Sequence, residues 1–273
     1  NGDLKPDLAV SNGTAGNVSI LLGKGDGTFQ AAKNFLTTAG ASGLAIADFD
    51  GNKKLDLAVA SESATVSILL GNGDGTFQMA TNIPLPGSAP QTVVAGDWDS
   101  DGKIDLAVPR QQTNDLAILM GKGDGTFQVV NKLPVGISPR GAVASDFDQD
   151  GILDLLVANI DSQNVNVLIG VGKNGAFQGA ASVETEPKAI FPVVGDFNAD
   201  GKVDVATSSQ ATNNCTVLLG KGNGVFQQPS MSIPTGMNTY AITSADFNAD
   251  GKPDLVLGAN VQNNLIVLLN TSQ

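Results

Sequence analysis

Apolar residues in this chain come in short strand-sized runs, separated by Gly, Asp, Asn and Pro, and the runs recur in a fixed order. Residues 92–133 show one unit: TVVAGDW, an acidic loop, IDLAVP, a polar turn at 111–114, DLAILMG, the turn GKGDGTF, then FQVVNKL. β-Branched, alternating runs bounded by turn formers predict strands, and four in succession predict an antiparallel meander. The second and third runs are apolar or small on both faces, as at Leu106, Ala107 and Val108. Each sheet is therefore expected to be covered on both sides by its neighbours. No helical periodicity is evident. Such sheets predict an all-β fold, a radial array of four-stranded antiparallel blades (a β-propeller) that leaves only short protected edges.

The acidic loop fixes the period. It reads DFDGNKKLD at 48–56, DWDSDGKID at 97–105, DFDQDGILD at 146–154, DFNADGKVD at 196–204 and DFNADGKPD at 246–254, with a shortened NGDLKPD at 1–7. The leading aspartates are spaced 49, 49, 50 and 50 residues apart. That interval marks one supersecondary unit repeated six times, and residues 1–273 are expected to form a single propeller domain. The four kinds of run occur five, six, six and five times, so 22 strands are expected, two short of six full blades. The missing pair is the first strand of the first blade and the last strand of the sixth. Sequence upstream of Asn1 is expected to supply them and close the last blade, or a neighbouring chain to supply them in trans, since an open edge invites association.

Two aromatic slots recur. Phe49, Trp98, Phe147, Phe197 and Phe247 follow the first loop position, and Phe29, Phe77, Phe127, Phe177 and Phe226 follow the glycine-rich turn. Their regularity predicts packing between blades in preference to a sugar-stacking platform. The turn itself is followed by a strand, so it reads as a β-turn and not as a phosphate cradle.

Within each loop, positions 1, 3 and 5 carry Asp or Asn, position 6 is usually Gly, and position 9 is Asp. Oxygen donors at that spacing suit a hard divalent cation, with Gly supplying the bend and position 7 offering a backbone carbonyl. Calcium fits best, because it accepts six to eight oxygens in flexible geometry. Leu4 and Lys53 stand at position 6 of the first two loops, where weaker or altered binding is expected. An EF-hand would place Glu at position 12, where Val108, Val157 and Leu257 stand.

Charge supports this reading. Acids exceed bases by 12, yet 19 of the 27 acidic residues lie in the loops. The remaining eight (Asp26, Glu62, Asp74, Asp115, Asp124, Asp161, Glu184 and Glu186) face nine bases outside the loops, the other six bases being loop lysines. Six dications would bring the formal total to zero. No basic patch interleaved with aromatics points to nucleic acid, and no apolar run is long enough to span a bilayer. With one Cys (Cys215) and no His, disulfide frameworks, imidazole-ligated metals and His-dependent triads are excluded. Clustered carboxylates fall only in repeated loops, whereas a glycosidase pair would be unique to one place. Sequons stand at Asn12, Asn17, Asn214 and Asn270.

These motifs resemble the FG-GAP (VCBS-type) repeats of integrin α-subunit propellers and of many bacterial secreted proteins. The resemblance covers essentially the whole chain. It implies a calcium loop in the hairpin between the first two strands of each blade, five to six calcium ions in all, and an extracellular or cell-surface location. Carried over residue by residue, the implied ligands begin with Asp97, Asp99, Asp101 and Asp105 in the third loop and Asp146, Asp148, Asp150 and Asp154 in the fourth. Asp196, Asn198, Asp200 and Asp204 follow, then Asp246, Asn248, Asp250 and Asp254. Asp48, Asp50, Asn52 and Asp56 match except at the glycine, and Asn1, Asp3 and Asp7 form a partial site. The function expected is a non-catalytic adhesion or ligand-recognition scaffold with a protein or glycan ligand. The alternatives are a subunit that self-associates through its incomplete blade, or an accessory domain of a carbohydrate-active enzyme. The clearest breaks in the repeat, at 182–192 and 231–240, are the leads for a ligand site.

Overall fold

The computed structural model describes residues 1–228, 230–259 and 263–272, and of Ala180 the backbone alone. Among them all regular structure is β, and no helix is long and apolar enough to cross a membrane. The chain forms two compact units, Asn1–Leu133 and Pro134–Gln273.

In the first unit, β1 (Leu8–Asn12), β2 (Asn17–Leu21) and β3 (Lys33–Leu36) make a three-stranded sheet. A four-stranded sheet follows, from β4 (Ala41–Ala47), β5 (Asp56–Ser61), β6 (Thr65–Leu69) and β7 (Thr81–Pro84). The third has β8 (Val94–Gly96), β9 (Asp105–Arg110), β10 (Asp115–Gly121) and β11 (Phe127–Pro134). The second unit opens with two four-stranded sheets. One contains β12 (Pro139–Ser145), β13 (Asp154–Asn159), β14 (Asn164–Gly170) and β15 (Phe177–Glu184). The other contains β16 (Ala189–Gly195), β17 (Asp204–Ser209), β18 (Asn214–Leu218) and β19 (Met231–Pro234). Its last sheet is three-stranded: β20 (Ile242–Ala245), β21 (Asp254–Ala259) and β22 (Asn264–Leu268). Among the described residues, the 22 strands and the two short sheets are those the run pattern predicts. Every pairing is antiparallel and sequential, which is the meander of propeller blades; in the third sheet Ala107 of β9 lies opposite Val94 and Ile118.

The sandwiching expected from the two-faced apolar strands is present. All residues of β5, β9, β13 and β17 are buried. Each apolar cluster joins two successive sheets, as where Phe49, Ala58 and Ile68 pack with Leu106 and Leu119. Full burial of one such Leu or Phe contributes about 1.5–3 kcal/mol. The two aromatic slots meet across this boundary. Phe49 packs edge-on against Phe127 at 5.5 Å, and Phe147 against Phe226 at 5.7 Å. Trp98 is fully buried, while Phe247, beside the last sheet, is 50% exposed.

The glycine-rich turn is dictated by a close approach. A Cβ on Gly121 would lie 2.2 Å from the carbonyl oxygen of Ile104, and Gly23, Gly71, Gly170 and Gly220 meet the matching carbonyl in their own blades. Only a residue without a side chain lets the third strand end this near the acidic loop. Gly121→Ala is accordingly expected to cost about 1–3 kcal/mol, the range of an overpacked site. Gly179→Ala, whose Cβ would meet nothing within 4 Å, is expected to be neutral or slightly stabilising. Denaturant unfolding of the two variants checks this, and equal losses would contradict it.

Candidate metal centres

Each acidic loop from the second to the sixth links the first and second strands of a blade, the first loop leads into β1, and all are built from backbone N–H groups turned onto their own side chains. In the third loop, Asp97 accepts the N–H groups of Asp101 at 3.2 Å and Gly102 at 2.9 Å, and Asp101 accepts that of Lys103 at 2.9 Å. The turn needs two residues in left-handed conformation, at positions 4 and 6: Ser100 (φ 60°) and Gly102 (φ 83°). Gln149, Ala199 and Ala249 repeat the strained position 4, with φ of 64°, 59° and 60°. The first two loops exchange the glycine between the two places. Gly2 and Gly51 take position 4, leaving Leu4 and Lys53 at φ 64°. Leu4 and Lys53 thus adopt the left-handed backbone that glycine takes at position 6 elsewhere, and each loop keeps one non-glycine residue in a region that disfavours it.

Position 9 has a different role from the others. Asp56, Asp105, Asp154, Asp204 and Asp254 are all fully buried. Oδ2 of Asp105 accepts the N–H of Trp98 at 2.9 Å, and Oδ1 accepts that of Gly121 at 2.7 Å. Asp56 binds Phe49 and Gly71 in the same way, Asp154 binds Phe147 and Gly170, and Asp204 binds Phe197 and Gly220. Asp254 takes Phe247 and Asn270, and Asp7 takes Gly23 and the amino group of Asn1. One carboxylate thus ties loop, aromatic slot and glycine turn together. Each oxygen keeps a lone pair, so this does not prevent metal ligation.

The implied ligands converge. Carboxylate oxygens of Asp48, Asp50 and Asp56 come within 4.8 Å of one another, as do those of Asp97, Asp99 and Asp101, and of Asp146, Asp148 and Asp154. In the fifth loop, Asp196 and Asn198 both accept the N–H of Asp200 at 3.0 Å. Asp246 and Asn248 do the same for Asp250 in the sixth. In the second loop, Nδ2 of Asn52 donates to Oδ2 of Asp50 at 2.8 Å, and in the first, Asn1 and Asp3 are hydrogen-bonded to each other at the surface. Among the described residues, the three carboxylate groupings of the second, third and fourth loops could each hold a metal ion.

The electrostatics of the loops are uneven. Burial pushes the carboxyls of Asp105 and Asp154 up to about 6, and the neighbouring charges of Asp99 and Asp97, and of Asp148 and Asp146, add to it. Asp56 and Asp204 are raised for the same reasons. At Asp48, partial burial is outweighed by the N–H groups of Lys53, Gly51 and Asn52, and the carboxyl lies below its ordinary value. In the third loop, Oδ1 of Asp99 is sealed from water and has no hydrogen-bond partner among the described residues.

Two further features lay outside the sequence reading. The position 7 side chain lies across the second glycine of the neighbouring turn, with Lys103 Cδ 3.0 Å from a Cβ built on Gly123. The two breaks in the repeat also meet. Phe191 packs edge-on against Tyr240 at 5.4 Å, and the Arg140 guanidinium stands 5.7 Å from the centre of the Tyr240 ring. All three are partly exposed. Cys215 is buried, which pushes its thiol up to about 11 and disfavours the nucleophilic thiolate.

The FG-GAP-like repeat model matches the chain at residues 1–59, 48–108, 97–157, 146–207 and 196–257. No curated protein matches the sequence. Among solved structures, a functionally unknown protein from Desulfotomaculum acetoxidans is 12% identical, with a TM-score of 0.73 over 100% of this chain and 81% of that one. BBS1N, in complex with ARL6DN, is 16% identical, with a TM-score of 0.65 over 100% of this chain and 75% of its own. A candidate 6-phosphogluconolactonase from Bacteroides uniformis is 12% identical, with a TM-score of 0.67 over 96% and 80%. At these identities the likeness carries the propeller fold alone.

The raised carboxyls give a pH signature. Unfolded, Asp105 and Asp154 titrate near their ordinary value of about 4; folded, at about 6. Between those values the folded chain binds more protons, so its stability falls as pH rises through the window. In chelator, the melting temperature is expected to be higher at pH 5 than at pH 7. With saturating calcium the order is expected to invert, because protons compete with the ion. A pH series of thermal melts checks both, and a chelated melting temperature that climbs from pH 5 to pH 7 would contradict the assignment.

Proposed function

The chain belongs to the FG-GAP-like repeat family, and on that premise we propose that it is a calcium-stabilised propeller acting outside the cell as a non-catalytic scaffold for adhesion or ligand recognition. The observation that carries this reading is the buried Oδ1 of Asp99, which has no donor, amid the converging oxygens of Asp97 and Asp101. A desolvated carboxylate oxygen without a partner is costly, and a hard cation is its natural complement. The donors are all oxygens, which suits calcium and not zinc or copper. Positions 1, 3, 5 and 9 of the second to sixth loops, and Asn1, Asp3 and Asp7 of the first, hold the ions, five to six in all, and the ion offsets the charge that lifts Asp105 and Asp154. Loops of modest affinity, with dissociation constants on the order of 0.1–1 mM, are filled at extracellular calcium levels.

Recognition is supported by the partly exposed Phe191, Tyr240 and Arg140, a grouping of the kind that anchors interfaces. The BBS1N structure, a complex with ARL6DN, is an example of a propeller of this fold with a protein partner. A second reading, self-association through an incomplete sheet, is favoured by the exposed Leu265 (75%) and Val267 (53%) on β22.

Calcium at about a hundred times its dissociation constant adds about 2.7 kcal/mol for one site, which corresponds to a rise of at least about 5 °C in melting temperature. Thermal melts with calcium and with chelator test this, and coincident curves would overturn it. Asp99→Asn is expected to reduce the rise without abolishing it.

A further inference from the structure

We propose that the loops are unequal calcium sites and that the fourth, with Asp146, Asp148, Asp150 and Asp154, is the tightest because no side-chain donor of the protein competes there with the ion. The inference rests on the calcium reading above and adds which residues grade the sites.

Every other loop carries an internal substitute for part of a cation. In the third, Nζ of Lys103 lies 2.6 Å from Oδ2 of Asp101, and in the fifth, Nζ of Lys202 lies 3.2 Å from Oδ2 of Asp200. In the second, the Asn52 amide donates to Asp50 at 2.8 Å; in the sixth, the Asn248 amide donates to Asp250 at 3.0 Å. In the first, the Asn1 amide donates to Asp3 at 3.2 Å. An ion entering these loops must displace a bonded N–H from a prospective ligand.

The fourth loop differs in two ways. It has carboxylates at positions 1, 3, 5 and 9, as only the third loop also does, and its position 7 is Ile152, where the others have Lys5, Lys54, Lys103, Lys202 and Lys252. Among the described residues, its four carboxylates accept only from backbone: Asp146 from Asp150 and Gly151, Asp148 from Asp150, Asp150 from Ile152, and Asp154 from Phe147 and Gly170. Ile152 occupies the place the lysine stems fill elsewhere, its Cδ1 2.9 Å from a Cβ built on Gly172. A lysine there would follow the path of Lys103 and bring its ammonium to Asp150. The loop has the greatest unbalanced negative charge and the least to displace.

Calorimetric calcium titration at fixed ionic strength tests this. Ile152→Lys is expected to weaken the tightest class of sites by about three- to fivefold, and Lys103→Ile to tighten a weaker class by a similar factor, the scale of an exposed ion pair. Asp148→Asn is expected to remove the tightest class, and Asp99→Asn to leave it in place. Melting in chelator reads the folding of each variant separately. Loss of the tightest class with Asp99→Asn, or an unchanged isotherm for Ile152→Lys, overturns the ranking while calcium binding itself stands. A wild-type chain that takes up no calcium overturns both.

Discussion

The structure depends on a buried carboxylate repeated in five of the six blades. At Asp56, Asp105, Asp154, Asp204 and Asp254 the two oxygens accept one N–H from the aromatic slot and, in the first four, one from the glycine turn; Asn270 stands in for the glycine at Asp254. That geometry sets the blade. The first and third strands are fixed at the end of the second, the aromatic residue is aimed at the neighbouring sheet, and the turn is drawn close enough to require glycine. Burying a charge so completely is unfavourable unless it is hydrogen-bonded and compensated, and the raised carboxyls of Asp105 and Asp154 record what hydrogen bonding leaves uncompensated. The same residue type thus holds the blade together and borders the candidate metal centre.

Much of the fold was legible in the sequence because every blade solves the same packing problem. Period-2 runs, turn formers and the aromatic slots recur together, and a pattern repeated along the chain is less ambiguous than any single run. The strand number and the two three-stranded sheets follow from that arithmetic. Phe247 departs from its slot because the last sheet leaves it half exposed.

The candidate site was legible in composition but not in division of labour. Spacing identifies Asp105 as one oxygen donor among four, and only the fold reveals that its oxygens also hold Trp98 and Gly121. The left-handed position 4 was hidden because Ser100, Gln149, Ala199 and Ala249 carry no glycine signal, and the loop's own N–H bonds to position 1 enforce the strain. Phe191 and Tyr240, 49 residues apart in sequence, meet only through the stacking of successive sheets. Long-range contacts of that kind leave no local pattern to read.

Amide hydrogen exchange at Trp98 and Gly121 in calcium-free protein is the most direct measurement of whether the buried carboxylate is the joint of the blade. The account predicts that both protons exchange as slowly as those of Leu106 and Ala107 in β9, and that Asp105→Asn speeds both together. Exchange at the rate of the exposed turn amides around Asp124, indifferent to that substitution, would contradict it.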